Sequence, residues 1–204
     1  MIHNLWISRY TGECLLHRKY GSIEQDENLI TSFLSAIEIF AQNVDSGCDF
    51  LQTKSYKFVY TTSQNTVTVA CVDKDDDEKL IKKELEHIQK EFVKRFQQNL
   101  ENWNGDVSQF RDISDYVDHR LKKYRMSIDD LENAKLELTD PMIIKKSVSF
   151  QFSPQQQKVI SLLKYKGSAT LNDIARLMKL SQTEAEKAAR SLLYNNIIKQ
   201  VPSS

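Results

Sequence analysis

The sequence predicts an α+β protein in which helices cover both faces of a five-stranded antiparallel sheet, with a smaller helical unit after it. Three observations support this fold class. Two apolar runs, 2–9 and 13–20, flank the turn Thr11-Gly12 and predict a β-hairpin. One helical pattern follows the hairpin, and three strand-like runs and two longer helical patterns follow that helix. The predicted element order is therefore β-β-α-β-β-β-α-α.

The two hairpin strands are apolar in continuous stretches, Leu5-Trp6-Ile7 and Cys14-Leu15-Leu16. Continuous rather than alternating apolar residues are typical of a sheet that is covered on both faces. The first helix is predicted from about Glu27 to Val44, where apolar residues recur every three or four positions. These residues are Leu29, Ile30, Phe33, Leu34, Ile37, Phe40, Ala41 and Val44. We expect this stripe to cover one face of the sheet.

Three further strands are predicted at 49–54, 55–62 and 66–72, and they complete the five-stranded sheet. The acidic run 75–78 then predicts a helix N-terminus, where the helix dipole favours negative charge. The helix behind it carries an apolar stripe made of Ile81, Leu85, Ile88, Phe92, Phe96, Leu100 and Trp103. A second helix is predicted over 107–124, and we expect both helices to cover the face of the sheet opposite the first helix.

Residues 125–152 are predicted to be a connector that packs on one of the domains, because they contain too many apolar residues for a free linker. Ser127 with Asp130 predicts a short helix that continues through Leu136. Val148, Phe150 and Phe152 alternate with polar residues, which predicts a half-buried strand.

A second folded unit is predicted from Ser153 to the end of the chain. Ser153-Pro154 indicates a helix start, and Gly167 indicates the end of that helix. Helical patterns at 171–180 and 183–195 and a short strand at 197–201 follow. The sequence leaves open whether the strand predicted at 148–152 pairs with this last strand.

Composition restricts the class of protein. The chain has 204 residues, 40% of them hydrophobic and 27% charged, with a formal net charge of zero. These values are typical of a soluble globular protein, and no overall charge attracts nucleic acid or an anionic membrane. From Ser153 onward, however, the chain contains eight Lys and Arg residues but three Asp and Glu residues, so the second unit is basic. No signal peptide or membrane-spanning pattern is recognisable, and we expect a cytoplasmic protein.

The sequence contains no pattern typical of catalysis. Its five glycines are scattered, and none forms a phosphate-binding loop. The four histidines and three cysteines share no metal-ligand spacing, and the acidic run 75–78 lacks the glycine and the ligand spacing of a calcium loop. An odd number of cysteines favours free thiols in a reducing compartment. We therefore expect no enzyme activity, no cofactor and no bound metal.

Residues 1–124 resemble the longin domain, through the element order and through the opening segments 5–7, Thr11-Gly12-Glu13 and Cys14-Leu15-Leu16-His17. The resemblance implies a protein-binding domain whose partners are small GTPases, SNARE-like segments, or another longin or roadblock domain, with homodimerisation as a further possibility. It places contacts on the hairpin and the first helix. The candidate residues are Arg9, Glu13, His17, Lys19, Glu38 and Gln42.

Residues 153–201 resemble a winged helix-turn-helix, through the segments 170–175, Leu180-Ser181 and 188–193. The resemblance implies contact with DNA or protein through the third helix of the unit. The candidate contact residues are Gln182, Thr183, Lys187, Arg190, Ser191 and Asn195. Glu184 and Glu186 lie on the same helix and would repel phosphate.

The pairing of the two modules is similar to archaeal proteins that carry eukaryote-like trafficking modules. A non-catalytic interaction protein is the first hypothesis. The alternative is a DNA-binding transcriptional regulator whose N-terminal domain senses a signal or dimerises.

Overall fold

The computed structural model describes residues 1–21, 23, 26–44, 47–63, 65–125, 128–140 and 152–201. The chain divides into two compact units, Met1–Arg125 and Met126–Ser204. Most of the strand predicted at 148–152 lies outside the described residues, and Phe152 itself lies in a bend before the next helix.

The first unit contains the five-stranded antiparallel sheet that the sequence predicts. Its strands are β1 (Ile2–Arg9), β2 (Cys14–Lys19), β3 (Phe50–Gln52), β4 (Tyr56–Ser63) and β5 (Thr66–Asp73), in the spatial order β2-β1-β5-β4-β3. Its helices are α1 (Glu27–Val44), α2 (Glu78–Glu101) and α3 (Ser114–Leu121), with 3₁₀ segments at Val107–Ile113 and Lys122–Tyr124. This architecture is consistent with a longin-like fold.

The central strands are buried on both faces, as their continuous apolar sequences predict. Trp6 and Val69 belong to the cluster that also contains Leu34 of α1. On the other face, the buried side chain of Gln89 in α2 contacts β4 and β5: its Nε2 donates to the carbonyl of Thr61 across 3.2 Å and to the carbonyl of Thr66 across 3.1 Å. The helices therefore cover opposite faces of the sheet.

Helix α2 begins as the acidic run predicts, because the side chain of Asp77 accepts hydrogen bonds from the backbone N–H groups of Lys79 and Leu80. The helix predicted over 107–124 is not continuous. It starts as a 3₁₀ segment capped by Asp106, becomes helix α3 at Ser114, and ends in a second 3₁₀ segment.

Helix α1 covers one face of the sheet, as predicted, but only part of the predicted apolar stripe faces the sheet: Leu34 is buried, whereas Leu29, Phe33, Phe40 and Val44 are exposed. Its buried residues are Thr31, Leu34, Ser35 and Glu38. Thr31 Oγ1 donates to the carbonyl oxygen of Gly12 across 2.8 Å, and the hydroxyls of Ser35 and Ser8 lie 3.3 Å apart. The hairpin turn approaches the helix closely, since a Cβ on Gly12 would lie 3.0 Å from the Cα of Ser32. Polar groups on the hairpin thus pair with polar side chains of α1, and the prediction is wrong for the four exposed members of the stripe.

The second unit contains four helices and a three-stranded antiparallel sheet among its described residues. The helices are α4 (Ile128–Asn133), α5 (Pro154–Lys166), α6 (Leu171–Met178) and α7 (Gln182–Tyr194). The strands are β6 (Lys135–Leu138), β7 (Ser168–Ala169) and β8 (Ile198–Val201), in the spatial order β7-β6-β8.

Strand β6 contradicts the helix predicted through Leu136. Helix α4 ends at Asn133, and Leu136 pairs with Ala169 on one side and with Gln200 on the other. Leu136 is fully buried at the centre of this sheet. Pairing with two neighbouring strands therefore outweighs the local helical preference of the sequence. Residues 135–138 of the predicted connector thus form the middle strand of the second unit.

The helices of the second unit begin and end close to the predicted residues. Ser153 and Gln156 form a capping box at the start of α5, and Gly167 ends that helix with a φ of 80°. Ser181 and Glu184 form a second capping box at the start of α7.

Candidate interaction surfaces

The hairpin residues predicted to bind a partner take part in several internal contacts. Arg9 Nη1 lies 3.2 Å from Glu13 Oε1, and the Arg9 guanidinium lies 5.9 Å from the centre of the Trp103 ring. Lys19 is exposed at the end of β2. The exposed parts of Arg9 and Glu13 place charges of both signs at the turn end of the hairpin, and Lys19 lies at the opposite end of the edge strand β2, where it pairs with Asn4.

His17 has a structural position rather than a surface one. Its ring stacks on Trp6 with the centroids 5.4 Å apart. Its Nδ1 lies 2.7 Å from the Glu27 carboxylate and its Nε2 lies 2.9 Å from Asn4 Oδ1. The imidazole therefore joins β1, β2 and the first turn of α1.

Glu38 also points inward, although it is a candidate contact residue in the sequence. Its carboxylate accepts a hydrogen bond from Gln42 Nε2 across 2.9 Å and one from the backbone N–H of Cys48 across 3.0 Å. Gln42 is exposed and also accepts a hydrogen bond from the hydroxyl of Tyr10. Of the two candidates on α1, only Gln42 reaches the surface.

The opposite side of α1 exposes large apolar side chains. Leu29 is 69% exposed, Phe33 is 55%, Phe40 is 70% and Val44 is 71%. At 3.6 residues per turn, these four side chains lie within about 60° of one another around the helix axis. Neighbouring apolar side chains exposed to water are unusual on a protein surface, and patches of this kind are typical of interaction sites.

This apolar face, defined by Leu29, Phe33, Phe40 and Val44, carries no charge. The charged residues of α1 are Glu27 at its first position and the buried Glu38. The sequence contained a signal for this arrangement, because Thr31, Ser35 and Glu38 recur with helical spacing on the other side of the helix. Sequence periodicity identifies both stripes but does not say which one faces the sheet.

A polar cleft of about 400 Å³ lies between the hairpin end and the last turns of α2. It is lined by Arg9, Asn65, Gln97, Leu100 and Glu101. Gln97 Nε2 donates to Glu101 Oε1 across 3.0 Å, so two of the lining side chains are already paired. The cleft brings together no nucleophile and base that could carry out catalysis.

The three cysteines are free thiols, and burial raises the pKa of each of them. Burial, with a smaller effect of the Glu27 charge, raises the pKa of Cys14 to about 12. Burial also raises the pKa of Cys71 to about 12, with the Asp73 charge acting in the same direction. Neither side chain forms a thiolate at neutral pH, which is the reactive species.

Two kinds of feature are absent from the described part of the chain. It contains no group of three His, Cys, Asp or Glu side chains that could hold a metal ion. None of its helices is both long and apolar enough to cross a membrane.

The candidate contact residues on α7 differ in their exposure. Gln182, Thr183, Lys187 and Asn195 are exposed, and Ser191 is partly exposed. Arg190 is buried, and its Nε donates to Glu186 Oε1 across 2.8 Å. Of the two basic residues in α7, Lys187 is therefore the one that is exposed to solvent.

Side chains of α4 and α6 contact the first turn of α7. Gln182 Nε2 lies 3.0 Å from Glu132 Oε1 of α4 and 3.0 Å from Asn172 Oδ1 of α6. The capping carboxylate of Glu184 lies in the same turn. Two carboxylates thus lie at the end of the helix that would enter a DNA groove, where they would repel phosphate.

Comparison with known proteins finds no matching family model and no matching curated protein. Among solved structures, the chain is similar to one described as "MglB with tetrameric arrangement", with 10% sequence identity and a TM-score of 0.30. The alignment covers 35% of this chain and 60% of that chain, which is less than two thirds of its length. A likeness at this level carries no argument about fold, function or assembly.

Proposed function

We propose that the protein is a non-catalytic interaction module of the longin type, and that the apolar face of α1 is its main contact surface. The observation that carries the proposal is the orientation of this helix. It buries the polar residues Thr31, Ser35 and Glu38 and exposes Phe33 and Phe40. Apolar surface in water is unfavourable, and a protein partner that covers it removes this cost.

The proposed partners are a small GTPase or another domain of the longin or roadblock type. The two candidate surfaces of the first unit suit different chemistry. The apolar face of α1 suits a second apolar surface. The hairpin surface, which runs along the edge strand β2 from Arg9 and Glu13 at the turn to Lys19 at the other end, suits a polar partner with charges of both signs. We assign the small GTPase to the hairpin surface. The three free thiols support a cytoplasmic location.

For the second unit we propose a winged helix that acts as a second protein-contact surface. The helices α5, α6 and α7 and the three-stranded sheet support this interpretation. In the sheet, β6 lies between β7 and β8. A role in DNA binding receives less support from α7, because Arg190 is buried and Glu132 and Glu184 lie at the start of the helix. Contact with protein fits this surface better.

A binding experiment with nucleotide-loaded GTPases tests the partner that we assign to the hairpin surface. Small GTPases from the same genome are loaded with GDP or with a non-hydrolysable GTP analogue and titrated against the full chain by calorimetry. We expect at least one of them to bind, with an affinity that depends on the nucleotide and is lost in Lys19→Glu. The matched control is Lys90→Glu, a charge reversal at an exposed position on α2. The absence of binding across the panel in both nucleotide states would reject this partner class.

A further inference from the structure

The exposed apolar side chains of α1 are spaced symmetrically about the middle of the helix. Leu29 and Val44 lie equally far from the peptide between Ala36 and Ile37, and the same holds for Phe33 and Phe40. Reversing the direction of the helix therefore places each of these side chains where another apolar side chain was. Such a pattern suits a two-fold symmetric contact, in which residue i of one copy meets residue j of the other and residue j meets residue i.

We propose that α1 packs antiparallel against α1 of a second copy of this chain, around a two-fold axis that passes between Ala36 and Ile37. Leu29 then faces the partner's Val44, and Phe33 faces the partner's Phe40. The inference rests on the proposed function, because it names the occupant of the apolar face of α1.

The residue sizes along the helix fit this geometry. Ala36 is exposed at the centre of the pattern, between Phe33 and Phe40, and would face the partner's Ile37, which is partly buried in its own chain. A small side chain at the crossing point lets two helix axes approach to roughly 8–10 Å, the usual range for packed helices. The phenylalanines on either side then fill the space where the two helices diverge.

Charge also favours a second copy. Between Asn28 and Val44, the one charged residue is Glu38, which is buried against the sheet. Antiparallel pairing therefore brings no like charges together at the centre of the contact. A partner selected by charge complementarity would find no charged group on this face to recognise.

The exposed area matches a reversible dimer. The four side chains are 55–71% exposed, which amounts to roughly 500 Å² per copy, given that a large aromatic side chain buries on the order of 150–250 Å². A stable interface of standard size buries about 800 Å² per partner. The apolar face of α1 supplies more than half of that area. We therefore expect a dimer that dissociates on dilution.

Sedimentation equilibrium of the full chain over a wide concentration range tests the proposal, with Leu29→Glu and Val44→Lys as the test variants. Each variant alone places two charges against apolar side chains and is expected to weaken self-association by about tenfold or more. In an equimolar mixture, the introduced carboxylate faces the introduced ammonium, and the other Leu29–Val44 contact stays intact. The mixture is therefore expected to associate more tightly than either variant alone.

The matched control is Asn28→Glu, which adds a carboxylate next to Leu29 in an exposed position that lies off the apolar face. Its self-association is expected to equal that of the wild type. If Leu29→Glu or Val44→Lys loses its helical circular-dichroism spectrum, the pair Phe33→Glu and Phe40→Lys supplies the same test at the inner positions.

A wild-type chain that stays monomeric at every concentration would overturn the inference, and so would a mixture that associates no better than its components. Either result can be told apart from failure of the proposed function, because the GTPase titration is measured separately and uses the hairpin surface.

Discussion

The carboxylate of Glu38 accepts a hydrogen bond from the backbone N–H of Cys48 across 3.0 Å, and this contact fixes how α1 is rotated on the sheet. Cys48 lies in the segment that leads from α1 into β3. Rotating the helix to bury Phe33 and Phe40 would bring Glu38 to the surface and leave this N–H group without its partner. Together with the hydrogen bond from Thr31 to the carbonyl of Gly12, the contact favours the rotation that exposes the apolar face of α1.

The first prediction concerns this contact. Glu38→Ala is expected to lower the free energy of unfolding by about 1–3 kcal/mol, because it removes the acceptor of a partly buried N–H group. Glu38→Gln keeps an acceptor oxygen and is expected to lose less. Urea denaturation followed by circular dichroism measures both changes. If Glu38→Ala matched the wild type in stability, the contact would not hold the helix.

The second prediction concerns pH. Partial burial opposes ionisation of Asp118, but hydrogen bonds from Arg18 and Tyr20 and the charges of Arg18 and Arg125 outweigh it, and the pKa of Asp118 lies below its ordinary value. Arg18 Nε donates across 3.1 Å and the Tyr20 hydroxyl across 2.7 Å. These contacts join β2 and the residue that follows it to α3.

A carboxylate with a lowered pKa in the folded state stabilises the fold above its unfolded pKa of about 3.9, and this contribution is lost as the pH falls through the lower folded value. Asp118→Asn is therefore expected to lower the free energy of unfolding by about 1 kcal/mol at neutral pH. Below a pH of about 4, the difference from the wild type should become progressively smaller. Urea denaturation of both proteins at several pH values measures the difference. A cost that stayed constant down to the acid range would contradict the assignment.

The third prediction concerns the boundary of the second unit. A fragment that begins at 153 lacks β6 and exposes the apolar edges of β7 and β8, so we expect it to be unfolded. A fragment that begins at 126 retains β6, with Leu136 fully buried between the other two strands. We expect this longer fragment to unfold cooperatively on heating, as measured by circular dichroism. Cooperative unfolding of the shorter fragment would show that β6 is dispensable.

Elements that are determined by residues close together along the chain can be predicted from the sequence. The hairpin, the Asp77 cap of α2 and the Ser153 capping box of α5 are recognisable from residues that are adjacent along the chain. The five-stranded sheet follows from strand patterns and short connections, and the structure confirms it.

Elements that depend on distant partners are not predictable in the same way. Residues 135–138 form a strand because β7 and β8 lie on either side of them, and both strands come later in the sequence. Likewise, the rotation of α1 depends on the acceptors at Gly12 and the donor at Cys48, which local periodicity does not contain. The candidate site was missed for this reason, since its residues were assigned to the core.

The most direct test of the central claim, that the apolar face of α1 is a contact surface and not part of the core, is the urea unfolding of the double variant Phe33→Asp with Phe40→Asp. It is measured at a protein concentration low enough for the wild type to be monomeric. Leu34→Ala, on the buried side of the same helix, serves as the comparison. This substitution is expected to lower the free energy of unfolding by about 2–5 kcal/mol. The double variant is expected to lose clearly less, about 1–2 kcal/mol in free energy of unfolding, because more than half of each phenylalanine is already exposed to water. A loss as large as that of Leu34→Ala would place Phe33 and Phe40 in the core and contradict the claim.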